Sequence, residues 1–136
     1  MLDAAYVGRS LPPTKPVEVM AESVAAFASA LGCDALAGGE TVPPTFLISL
    51  TLPAADPLVD DPDFGLDFSR VLHREQRFSY ARPLRTGERV VCAVTVESIK
   101  TVAGNDVLTL RTDVSTDSGD AVATAWTTLF VRGEAS

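Results

Sequence analysis

Proton-transfer chemistry needs an acid and a base placed together, and this chain offers few side chains that could form such a pair. It has one histidine, His73, whose imidazole is the side chain that ordinarily changes charge near neutrality. A carboxylate of interest, Asp34, sits in the Gly-containing connector "GCDALAGGETV" (32–42). A solvated turn carboxylate is the ordinary reading there, and a catalytic one is the sharper alternative. His73 falls in the run "SRVLHREQRFSYARP" (69–83). Strand alternation puts Leu72, Gln76, Phe78 and Tyr80 on one face, and His73 on the other with Glu75, Arg77 and Ser79. A structural or interface histidine is therefore expected, unless a bulge reverses the register. Neither place holds both members of an acid–base pair. Cys33 and Cys92 stand far apart with no C-x-x-C spacing, and with a single histidine they do not compose a zinc site. Cys92, inside a Val-rich run, reads as a small buried hydrophobe.

The elements that must position these groups follow from periodicity. "YVGRSLPPTKP" reads as loop, with a short strand expected from Val17 to Met20. "ESVAAFASALG" carries Val24, Phe27, Ala28 and Leu31 at helical spacing, and Gly32 is a natural stop. In "PPTFLISLTLP" a proline suits the first helical position. Phe46, Leu47, Ile48, Leu50 and Leu52 are apolar on nearly every side, which suits an interior helix limited by Pro53, although so short a run also fits a strand. An acidic, Pro-containing loop is expected from Asp56 to Asp67. Four Val- and Thr-rich runs then alternate with the turns "RTGE", "AGND" and "DSGD", predicting an antiparallel meander. Asn105 is expected at a left-handed turn position, with a subunit contact as the second reading, and Trp126 in core packing, with the lining of an acyl slot as the alternative.

One interior helix followed by a long curled sheet predicts the α+β class: a single hot-dog domain over residues 1–136, its antiparallel sheet wrapped around a central helix. Long edge strands call for a partner, so a dimer is expected. The formal charge is −7, from 11 basic and 18 acidic residues. That argues against nucleic acid and against an anionic membrane surface. Five aspartates between positions 56 and 67 are followed by six arginines between 70 and 89. Two solvated surfaces that attract each other are the plain reading, and a basic rim for coenzyme A or carrier-arm phosphates the alternative. The start "MLDAAYVGRSLPP" has no signal pattern and no apolar run reaches ~18 residues, so a cytoplasmic protein is expected.

Several stretches together carry a resemblance: "YVGRSLPPTKPVEV", "VPPTFLISLT", "LDFSRVLHREQRFSYARPLRTGERV", "ESIKTVAGNDVLTLRTDV" and "AWTTLFVR". They are similar to the N-terminal, FAS1-like dehydratase half of the MaoC hydratase family, most of all to stand-alone subunits of actinobacterial (3R)-hydroxyacyl-ACP dehydratase. The resemblance implies pairs of hot-dog subunits that reversibly remove water from a 3-hydroxyacyl thioester. One subunit supplies a catalytic Asp and His on an overhanging segment, and the other shapes the cleft for the acyl chain. A base takes the proton beside the thioester carbonyl, an acid protonates the leaving hydroxyl, and N–H groups at a helix start hold the oxyanion. No cofactor or metal is implied. The ligand would be an acyl-CoA or an acyl-ACP.

In such relatives a longer "G-D-x-x-P" segment separates the first helix from "PPTF". Here Asp34 stands as a shifted remnant, and no histidine follows it. The expectation is a non-catalytic or degenerate dehydratase subunit serving a catalytic hot-dog partner, with Asp34 and His73 as the weak catalytic candidates. The alternative is a stand-alone homodimer that binds acyl thioesters or acts as a cyclase or auxiliary protein in a polyketide-type pathway. The expected substrate-binding residues are Pro44, Thr45 and Phe46, at a helix start that either meets a thioester oxygen or is an ordinary one. Gln76 joins them as an inward amide that either braces the loop before the helix or contacts a thioester or pantetheine amide.

Overall fold

The computed structural model of the chain describes residues 1–33 and 41–133. Its frame is a five-stranded antiparallel sheet: β1 (Val17–Glu18), β2 (Val71–Tyr80), β3 (Arg89–Val102), β4 (Asn105–Thr116) and β5 (Ala121–Val131). Strands β3, β4 and β5 are consecutive hairpins, as their alternating patterns predict. Along β4 and β5 nearly every second residue is buried, including Leu108, Leu110 and Thr112 on the first and Ala125, Thr127 and Leu129 on the second. One face therefore meets the core, and the other is left outside. The turn between β3 and β4 uses two successive positive φ values, Ala103 at 52° and Gly104 at 80°, the pattern of a tight hairpin that matches strand twist. The left-handed positions are thus Ala103 and Gly104, not Asn105. Asn105 instead accepts the Gly133 N–H at 3.0 Å and ties the chain's last described residue to the turn.

The strand order is β1-β3-β4-β5-β2, so the expected simple meander is corrected at one point. β2 does not pair with β3 across "RTGE". It lies at the far edge against β5, from Val71↔Val131 to Tyr80↔Ala123. The connector from 81 to 88 crosses one end of the sheet, anchored by buried Leu84. Arg82 locks it by donating to both oxygens of Glu88, at 2.9 and 2.5 Å, while Glu88 also accepts the Arg85 N–H at 2.7 Å. A two-sided pair of this geometry is stronger than an ordinary surface ion pair.

The opening stretch is more ordered than a loop. It starts with a 3-10 turn at Ala4–Tyr6. It then follows the edge of β3, through Gly8 N to Val96 O at 2.8 Å, Leu11 N to Val94 O at 2.8 Å and Thr14 N to Cys92 O at 3.0 Å. This edge of β3 is therefore sealed by the chain itself. α1 (Ala21–Ala30) buries Val24 and Ala28. Leu31 caps its end and is 51% exposed rather than part of the core stripe.

The central rod is a 3-10 turn, Pro44–Leu47, running into α2 (Ile48–Ala54). It resolves the helix-or-strand ambiguity in favour of helix. Phe46, Leu47 and Ala54 join one cluster with Val90, Cys92, Val94 and Leu110 of the sheet. Each such large side chain adds roughly 1.5–3 kcal/mol on full burial. The rod is not buried all round: Leu52 is 39% exposed. The following segment is likewise not only loop. α3 (Asp56–Val59) is a helical turn, and Leu58 and Phe64 pin the acidic stretch to the core at 2% and 0% exposure. The whole is the hot-dog arrangement, a curled sheet around a helix.

Candidate functional site

Two of the cavities beside the central rod differ in chemistry. The first, 360 Å³, opens beside α2 and α3. Its lining includes Thr51 and Leu58 from the helices, Val71 and His73 from β2, and Thr112, Thr127 and Leu129 from the sheet's inner face. The second, 410 Å³, is shallower and lies at the rod's start, between Pro44, Val42 and the segment from Tyr80 to Leu84.

His73 is where the sequence-based register fails. The pairing β2–β5 slips between His73 and Glu75, so Arg74 is an extra residue. Above the slip His73 faces Leu129, and below it Gln76 faces Thr127. Leu129 and Thr127 are two apart on one strand and share the inner face. The bulge therefore brings His73 and Gln76 to the same side, where strict alternation had separated them. Leu72 is turned outward instead, 66% exposed. The imidazole lines the first cavity, with Nε2 3.1 Å from the Glu75 carbonyl oxygen. Asp56 lines the same cavity but makes no ion pair with the ring. Among the described residues no carboxylate comes within hydrogen-bond distance of His73. Asp34, the other catalytic candidate, lies outside the described residues.

Gln76 accepts a hydrogen bond from Thr127 Oγ1 at 2.8 Å through its Oε1. Its Nε2 is buried with no partner, as is the hydroxyl of Thr51 on α2. Unsatisfied buried polar atoms are uncommon, because each forfeits its hydration without return. Sequence reasoning missed Thr51, Thr112 and Thr127 as lining residues. The available signal was a threonine at an inward position of a strand otherwise occupied by Leu and Ala.

At the rod's start, Pro44 presents its carbonyl to the Tyr80 hydroxyl. Burial pushes the Tyr80 phenol up to about 12, so it is a fixed neutral donor at physiological pH. Phe46 is buried against Phe27, the rings edge-on at 5.5 Å. Its N–H is taken by the Pro43 carbonyl at 2.9 Å. Pro43 and Pro44 have no N–H to give. Of this group only the N–H of Thr45, an exposed residue, is not committed to a described partner. The rod's start is a poor oxyanion cradle. The four expected substrate-binding residues therefore fall into two places: Pro44, Thr45 and Phe46 at the start, and Gln76 beside the first cavity.

Outside, Trp126 corrects a further expectation. It is not core. It sits on the outer face with the Arg77 guanidinium 4.2 Å over its ring, and its Nε1 donates to Glu97 at 3.3 Å. Of the two charge clusters, one ion pair joins them among the described residues, Asp67 with Arg70 at 3.2 Å. Cys92 behaves as expected, 4% exposed, with burial pushing its thiol up to about 11. No metal-binding cluster occurs among the described residues, and no helix there is long and apolar enough to cross a membrane.

Comparison with known proteins adds three findings. Residues 5–125 match the family model for the FAS1-like dehydratase domain region. A UPF0336 protein of Streptomyces coelicolor is 46% identical over 143 residues, covering 96% of this chain and 95% of that protein; one from Thermobifida fusca is 40% identical over 142 residues, covering 96% and 93%. The first aligned span is longer than the 136 residues of this chain, so the Streptomyces protein carries residues that this one lacks. In structure, the chain is similar to the HadBC (3R)-hydroxyacyl-ACP dehydratase complex of Mycobacterium tuberculosis (TM-score 0.80, 23% identity, 92% of this chain and 96% of that one). It is also similar to HtdX of the same organism (TM-score 0.76, 27% identity, 92% of this chain and 51% of that one).

Proposed function

This chain belongs to the FAS1-like dehydratase domain family, and from that premise we propose that it is a non-catalytic subunit of a (3R)-hydroxyacyl-thioester dehydratase. Its part is to shape the acyl cleft, while a catalytic hot-dog partner moves the protons. One observation carries the reading: the one imidazole, His73, has its Nε2 beside the Glu75 carbonyl and no carboxylate in hydrogen-bond reach among the described residues. Dehydration needs a base at one carbon and an acid at the neighbouring oxygen, held together. The proline-blocked start of the rod adds to this, since a developing oxyanion there would find few donors. The connector from Gly32 to Val42 is short, which leaves little chain for an overhanging catalytic segment.

The first cavity is the acyl cleft in this reading. Its walls are mainly Leu, Val, Phe and Ala, suited to a hydrocarbon chain. Phe68 and Leu72, 68% and 66% exposed near the free edge of β2, and Leu52 on the rod mark the side where a partner would dock. The same exposure fits a homodimer that binds an acyl thioester and has left dehydration. The functional unit is residues 1–136 as one domain, placed in the cytoplasm, where acyl-CoA and acyl-ACP are made and used.

Co-expression with the hot-dog protein encoded beside it tests the proposal. A stable pair that hydrates enoyl thioesters, with this chain inert alone, is expected. A tight homodimer by native mass spectrometry that ignores every such partner supports the second reading and overturns the first.

A further inference from the structure

The first cavity is mainly apolar, yet one unpartnered polar group stands in its wall, at Thr51, and another, on Gln76, stands behind the lining residue Thr127. Thr51 is 2% exposed and its hydroxyl has no partner. The Nε2 of Gln76 is also buried without one. Gln76 has its Oε1 fixed by the Thr127 hydroxyl at 2.8 Å, so its two N–H groups are unspent and aligned by that bond. Thr127 and Thr112, 4% and 3% exposed, line the same cavity. A cleft meant only for a saturated chain would gain from Val or Leu at each of these positions. We propose that Thr51 and Thr127 in the wall, with Gln76 bonded behind Thr127, form a hydrogen-bonding station at the edge of the cleft, which takes a neutral acceptor oxygen carried on an otherwise apolar chain.

The station supplies donors: two from Gln76 and one from Thr51. An acceptor oxygen is the matching chemistry. A charged acceptor does not fit, because Asp56 lines the cavity and no Lys or Arg does among the described residues. A metal does not fit, since amide N–H and threonine hydroxyls are poor ligands. The oxygen would be a keto or hydroxyl group along the acyl chain, or an amide carbonyl of a pantetheine arm. A site built around such donors rejects a ligand that leaves them unpaired far more strongly than one extra methylene changes affinity.

This inference rests on the reading of the cavity as an acyl cleft, and calorimetry can separate the two. The probes are the S-methyl thioesters of decanoic acid and of its keto isomers, and pantetheine itself. The expected result is one keto isomer, or pantetheine, binding about tenfold or more tighter than the plain decanoyl thioester. Thr51→Val and Gln76→Leu should each erase the difference in affinity between that ligand and the plain one. A preference for a keto isomer assigns the oxygen to the acyl chain, and a preference for pantetheine assigns it to the arm. If all probes bind equally, or if the preference survives both substitutions, the cleft stands and the station falls. If nothing binds, the acyl-cleft reading fails and takes this one with it.

Discussion

The two ends of the central rod have opposite characters. The start, Pro44 to Leu47, borders a shallow cavity but is chemically closed: a proline pair removes donors, Tyr80 holds the Pro44 carbonyl, and Phe46 is packed edge-on against Phe27. The far half, from Thr51 through Leu58, is open to a 360 Å³ cavity whose wall carries the unpaired Thr51 hydroxyl. The contrast is what the proposed non-catalytic role asks for: space for a ligand at one end of the rod and few free donors at the other.

The largest effect should come from breaking the closed end. Phe46→Ala removes a buried ring and its Phe27 contact, and should cost about 3–5 kcal/mol in denaturant unfolding. If it costs far less, the start is looser than described and the contrast weakens. Filling the open end is next. Val71→Trp places an indole at the rim of the first cavity, and should lower acyl-thioester affinity about tenfold or more while leaving the fold intact by circular dichroism. Pro44→Ala should leave that affinity unchanged, since Pro44 lines the other cavity.

Two smaller substitutions sharpen the same comparison with opposite signs. Thr51→Val removes an unpaired buried hydroxyl and should stabilise the unliganded protein by about 1 kcal/mol. Tyr80→Phe removes a satisfied hydrogen bond and should destabilise it by about 1 kcal/mol. If both destabilise, Thr51 is not an orphan. The smallest effect concerns pH and the crossing connector. Arg82 beside Glu88 holds its carboxyl below the usual glutamate range. The unfolded chain then takes up a proton first as pH falls. The stability Glu88 gives is present above about 4.5 and is lost as pH drops through its folded value. Thermal melts between neutral pH and pH 3 should fall less steeply for Glu88→Gln than for the parent.

The sheet was legible because long alternating runs and Gly turns are local signals: β3, β4 and β5 lie where their Val and Thr periodicity puts them. The position of β2 was not, since nothing in "ARPLRTGE" distinguishes a hairpin from a crossing held by Arg82 and Glu88. His73 was misplaced for a related reason. One extra residue at Arg74 inverts the face of everything before it, and a bulge leaves no mark in composition. Gln76 was correctly read as inward, but its partners depended on which strand lay beside it. Thr51 hid inside an apolar helix. Trp126 went to the outer face because Arg77 and Glu97 give it a polar setting that the strand pattern alone does not show.

The central claim is most directly tested by an enoyl-thioester hydration assay run on this chain alone, on a catalytic hot-dog partner, and on the pair. The account predicts no turnover from the chain alone, turnover from the pair, and no loss in the pair when this chain carries His73→Ala. Turnover by the purified chain that disappears with His73→Ala or Asp34→Ala would contradict it.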